Sequence, residues 1–121
     1  MKRRILAVLL ILSFASVVTV AAEDRFGVSV YPGAGYDDAT SKQLKDMMQV
    51  EAACFQTNDG IADVAAFYKK QTGLRPVGEP TSEGAMFKND TVDVTIQNPW
   101  MDMKSGKMVN KTLISIVKHP E

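Results

Sequence analysis

The sequence predicts a small α+β domain: a mainly antiparallel sheet of about four to five strands with two helices packed on one face. Three observations carry this. Residues 91–97 alternate, with Val92, Val94 and Ile96 set against Thr91, Asp93, Thr95 and Gln97, which marks a strand in a sheet with one wet face. Ile61, Val64, Ala65 and Tyr68 recur at i, i+3, i+4 and i+7, the buried stripe of a helix. The elements run strand, helix, strand, helix, then three strands that read as an antiparallel meander.

The elements follow in chain order. Residues 1–22 read as an export signal. Lys2, Arg3 and Arg4 precede an apolar run from Ile5 to Val20, and Val20-Ala21-Ala22 supplies the small residues a signal peptidase needs. The run is shorter than the roughly 20 apolar residues of a spanning helix. Ser13, Ser16 and Thr19 dilute it further, which favours cleavage near Glu23 over an uncleaved anchor. Glu23 also stands where a lipoprotein signal places its lipid-accepting Cys. The expected product is exported, periplasmic or extracellular, and soluble, with residues 23–121 as a single domain and no integral membrane segment after cleavage.

Residues 26–31 read as a strand ended by Pro32-Gly33. Asp37 to Gln49 reads as a short helix, with Thr40 and Gln43 at capping-box spacing and Leu44, Met47 and Met48 on one face. Val50 to Gln56 reads as a strand, mostly apolar on both sides, which suits a central position. Thr57-Asn58-Asp59-Gly60 starts the second helix, Lys69 and Lys70 favour its last turn, and Gly73 stops it. A polar, Pro-containing connector covers 74–83. Strands at Gly84–Phe87 and Thr91–Gln97 flank a tight turn at Asn89-Asp90, and Thr112–Val117 closes the chain.

Composition narrows the function classes. The signal takes three of the 14 basic residues and none of the 14 acidic ones, leaving a mature domain of 11 basic against 14 acidic, close to −3. Nucleic-acid binding rests on phosphate neutralisation by Lys and Arg, so a nucleic-acid partner is not expected. The one cysteine, Cys54, has no intrachain partner, and its apolar neighbours point to burial. Gly33-Ala34-Gly35 lacks the third glycine of a phosphate loop, and His119 is the only histidine. A Cys54–His119 pair would need an exposed, electropositive cysteine. Asn89-Asp90-Thr91 and Asn110-Lys111-Thr112 match a glycosylation sequon by pattern alone.

The segment from Asn98 to Met108 carries the candidate site. Ser105-Gly106 is a natural turn tip, pairing of the flanks places Met103 across from Met108, and Met101 and Met103 share a face of an extended chain. Trp100, Met101, Met103 and Met108 are therefore the candidate binding residues, with three thioethers converging beside an indole. Thioethers select soft ions such as Cu(I). Trp100, Met101 and Met103 resemble the site of copper- and silver-binding periplasmic chaperones, which implies a copper or silver ion as an alternative ligand. Those proteins use a histidine ligand and a β-barrel, and this chain departs from both.

A second resemblance spans most of the mature chain. Val30-Tyr31-Pro32-Gly33-Ala34, Phe67-Tyr68-Lys69-Lys70 and the closing Ile114-Ser115-Ile116 are similar to small exported bacterial proteins with a "YPGA … FYKK" pattern, whose function is uncharacterised. It implies an envelope location and an α+β fold. The leading expectation is a non-enzymatic, soluble exported protein that binds an unknown protein or small ligand of the cell envelope through Trp100–Met108, without a cofactor. A Cu(I)- or Ag(I)-binding protein using that hairpin is the alternative. A Cys-dependent enzyme or redox protein is the third.

Overall fold

In the computed structural model residues 23–120 are described; the export-signal reading falls on residues 1–22 and lies outside them. The element order is β1 (Asp24–Arg25), β2 (Val28–Ser29), β3 (Gly35–Tyr36), α1 (Asp38–Met48), β4 (Ala52–Thr57), α2 (Ile61–Lys69), β5 (Arg75–Pro76), β6 (Gly84–Lys88), β7 (Val92–Gln97), β8 (Trp100–Asp102), β9 (Lys107–Val109) and β10 (Thr112–Lys118). A six-stranded sheet of order β3-β4-β10-β7-β6-β5 is antiparallel throughout, and β1-β2 and β8-β9 form two small separate hairpins. The fold is α+β as expected, with ten strands in three sheets rather than four to five. The extra strands are two or three residues long, too short to show an alternation in sequence.

The strand expected over 26–31 is instead a turn and the second arm of a hairpin. Phe26 and Gly27 both hold positive φ, 54° and 83°, which is the backbone of a two-residue hairpin turn between β1 and β2. Glycine adopts this freely, whereas Phe26 is held there by packing against the core.

The two helices lie on opposite faces of the sheet, which corrects the expectation of one covered face. Ala53, Phe55, Ile114, Ile116, Val94, Ile96 and Phe87 pack with Ile61, Val64, Ala65 and Tyr68 of α2 and with Val28 and Val30. The alternate positions Cys54 and Leu113 pack with Trp100, against Leu44 of α1 and Val109. Side chains alternate across a strand, so β4 and β10, apolar at successive positions, need cover on both sides.

Each helix forms for local reasons. Asp37, in extended conformation, caps α1: its Oδ1 accepts from Thr40 N–H at 3.0 Å and its Oδ2 from Thr40 Oγ1 at 2.7 Å. The cap is thus Asp37, with Thr40 as its partner. A left-handed Gln49 (φ 58°) ends the helix. In α2 all four stripe residues, Ile61, Val64, Ala65 and Tyr68, are buried as the periodicity predicts.

Strands β6, β7 and β10 form the expected meander, with the β8–β9 hairpin inserted before the last strand. Val92, Val94 and Ile96 are wholly buried. Asn89 Oδ1 accepts the N–H groups of Thr91 and Val92 and so fixes the β6–β7 turn. Both edge strands, β3 and β5, are two residues long, and the strand inside each is covered further along. The outer side of β4 meets the two residues of β3 and then Ser41, whose Oγ accepts Cys54 N–H at 2.7 Å and donates to Asp37 C=O. At the other margin β5 ends in Pro76, and Val77 and Thr81 donate N–H groups to β6 carbonyls.

Candidate functional site

The β8–β9 hairpin sorts its side chains by alternation. Trp100 and Val109 form one pair, Met101 and Met108 the next, Asp102 and Lys107 the last. Met101 rather than Met103 therefore lies across from Met108. The reason is a turn longer than the sequence suggested: Gly106 N–H donates to Asp102 C=O at 2.7 Å, and Lys104 N–H donates to Asp102 Oδ1 at 3.0 Å. Gly106, at φ 74°, takes the left-handed position such a turn needs.

Trp100 points inward and is 5% exposed, packed with Cys54 and Leu113 against Leu44 and Val109. Met101, Met103 and Met108 point outward and are 56%, 60% and 54% exposed. Among the described residues, Trp100 Nε1 is the one buried side-chain nitrogen or oxygen without a hydrogen-bond partner. Such a group forgoes about 1–3 kcal/mol.

Two clefts meet at Trp100. The smaller, of about 150 Å³, lies between α1 and the hairpin, with Leu44, Leu113 and Trp100 at its apolar base and Met47, Met101 and Met103 around it. The structure thus brings three of the four sequence-picked residues to one cleft. It leaves Met108 off that cleft, opposite Met101, and adds Met47, half exposed on α1. Met47 shares a helix face with Leu44 in the sequence, but nothing in a linear reading places that face beside the hairpin.

The larger cleft, of about 630 Å³, shares Thr40, Gln43 and Trp100 with the first and is lined by Asp37, Asp38, Asp46 and Asp102 against Lys42 and Lys104. Burial pushes the Asp37 carboxyl up, but hydrogen bonds from Thr40, Gln56 and the Ala39 N–H outweigh it and hold the group below the ordinary carboxylate value. Asp37 and Asp38 are adjacent in the sequence, but nothing in a linear reading places Asp46 and Asp102 beside them.

Cys54 is fully buried, and its thiol donates to Ser115 Oγ at 3.5 Å. Burial pushes this thiol up, away from the thiolate form, and the nearby Asp37 charge adds to that. His119 is engaged elsewhere, with Asp93 Oδ1 at 2.9 Å and the Asp90 carbonyl at 3.2 Å. We expect a thiol reagent to label native Cys54 on the order of a thousandfold more slowly than the denatured chain, because attack waits for an opening of several kcal/mol. Equal labelling rates with and without denaturant would contradict this placement.

On the far side of the sheet, Tyr31 Oη donates to Asp59 Oδ2 at 2.6 Å. That bond, with burial and the Asp59 and Asp63 charges behind it, pushes Tyr31 up to about 12 and keeps the phenol neutral. Among the described residues no three His, Cys, Asp or Glu side chains are grouped so as to hold a metal ion. No helix among them is long and apolar enough to cross a membrane. No known protein family, curated protein or solved structure matches the chain.

Proposed function

We propose that this chain is an exported, non-enzymatic binding protein of the cell envelope. It docks an apolar side chain of a partner polypeptide in the cleft between α1 and the β8–β9 hairpin. The supporting observation is the set of Met47, Met101 and Met103, each more than half exposed, around one apolar recess. Methionines adapt their shape at low cost and suit surfaces that must accept varied apolar groups. The volume selects the ligand class. Sites for drug-sized molecules and cofactors span about 300–1,000 Å³. A recess of about 150 Å³ takes one benzene-sized group, the size of a Leu or Phe side chain. The envelope location rests on the composition of residues 1–22 and on the likeness to exported "YPGA … FYKK" proteins.

The test uses a blocked hexapeptide, acetyl-(Leu-Ser)3-amide, titrated into the protein while the emission of Trp100, the only tryptophan, is followed. Saturable binding is expected, weakened about thirtyfold in Met101→Ser/Met103→Ser, since each of the two lost thioethers removes roughly 1 kcal/mol of apolar contact. No saturable change, or the same affinity in the double variant, refutes the reading.

The same three thioethers support a second reading, a site for Cu(I) or Ag(I). It predicts Ag(I) uptake that disappears in Met101→Ser/Met103→Ser. An Ag(I) affinity no tighter in the unaltered protein than in that variant ends it.

A further inference from the structure

We propose that the methionines of α1 and the β8–β9 hairpin are a modification site for oxygen-transferring oxidants, a peroxide or a hypohalous acid, and that sulfoxide formation there shuts the apolar recess to its partner. The closure rests on the proposed apolar docking, whereas the modification itself stands on exposure and chemistry. Three observations support it.

Among the described residues seven large apolar side chains are exposed, and five of them are methionines: Met47, Met48, Met101, Met103 and Met108. All five lie on α1 or the hairpin, and each is more than half exposed. A leucine at these positions would supply the same apolar contact, whereas a thioether adds a sulfur that an oxidant can reach. The thiol that would ordinarily compete is withdrawn. Cys54 is wholly buried, its Sγ lies 3.5 Å from Ser115 Oγ, and burial holds it in the unreactive protonated form. Finally, Met47, Met101 and Met103 surround one recess whose base is Leu44, Leu113 and Trp100, so an oxygen added there falls on an apolar wall. With hydrogen peroxide, a sulfur lone pair attacks one peroxide oxygen and the O–O bond breaks. The thioether is oxidised to the sulfoxide, and the displaced hydroxide takes the remaining proton and leaves as water. The sulfoxide is a polar acceptor, and an incoming leucine side chain would strip it of water with nothing to replace the lost hydrogen bond.

The experiment treats the full chain with hydrogen peroxide, maps the added oxygens residue by residue by mass spectrometry, and titrates acetyl-(Leu-Ser)3-amide while Trp100 emission is followed. The five exposed methionines are expected to oxidise about threefold or more faster than the partly buried Met86, with Cys54 unmodified. Met101 and Met103 reacting no faster than Met86, or Cys54 reacting first, overturns the modification site. Peptide affinity is expected to fall about tenfold or more on oxidation. It should return when methionine sulfoxide reductases specific for each sulfoxide epimer remove the oxygens, which separates a change of polarity from damage to the fold. In Met47→Leu/Met101→Leu/Met103→Leu, peroxide should leave the affinity where it stood before treatment. Undiminished binding by the oxidised protein, a loss that reduction does not reverse, or an equal loss in the leucine variant overturns the closure. No binding to the untreated protein removes the docking reading and the closure with it, and the oxidation map still decides the modification site.

Discussion

Replacing Tyr68 by Ala is expected to leave the domain close to unfolded at room temperature. Tyr68 is fully buried under the sheet, 5.0 Å from the Phe67 ring and 6.3 Å from that of Phe87. Its hydroxyl accepts Tyr31 N–H at 3.1 Å and so ties the segment after β2 to α2. Removing a large buried aromatic side chain costs about 3–5 kcal/mol, and the Tyr31 donor loses its partner as well. A domain of this size holds about 5–15 kcal/mol in all. Tyr68→Phe separates the two contributions, because it keeps the ring and removes only the acceptor, at about 1–2 kcal/mol. Thermal melts read both, at roughly 4–8 °C per kcal/mol for a domain of this length. A Tyr68→Ala melting point within a few degrees of the unaltered protein would contradict the packing.

Asp37→Ala is expected to cost about 2–3 kcal/mol, more than the ~1 kcal/mol of an ordinary helix cap. The excess arises because Asp37 Oδ2 also accepts from Gln56 Nε2 at 2.7 Å and so joins α1 to β4. The same carboxylate makes stability depend on pH. Its folded value is depressed below the ordinary 3.8, so its contribution is fully present above that value. The contribution falls away as pH drops from about 3.8 through the lower folded value, where the native state must take up the proton. Asp37→Asn keeps a capping oxygen but does not titrate, so its stability should fall less steeply over that acid window. Denaturant titrations at a series of pH values measure this, and parallel profiles for the two proteins would rule it out.

The parts of the fold that were legible in sequence were those with a sustained period. The buried stripe of α2 and the alternation of β7 each run over six residues or more, long enough for periodicity to outvote chance. The hairpin at Phe26-Gly27 was not legible, because only tertiary packing makes a phenylalanine accept positive φ. The placement of α1 on the second face follows from β4: Val50 to Gln56 is mostly apolar on both sides, and a strand of that kind requires a layer on each face. At the candidate site, the sequence picked out Trp100 and the hairpin methionines, since their residue types are unusual at such spacing. It could not show that Trp100 turns inward or that Met47 joins Met101 and Met103. Both depend on the sheet, which brings residues more than fifty positions apart into one recess.

The short edge strands of the six-stranded sheet bear on how this molecule behaves in a crowd. With Ser41 occupying the Cys54 amide and Pro76 ending the opposite border, an approaching strand finds little ladder to extend. Templated growth through the backbone, in which one molecule extends the ladder of the next, therefore finds only short borders on the six-stranded sheet, and contacts between like molecules along those borders fall mainly to side chains.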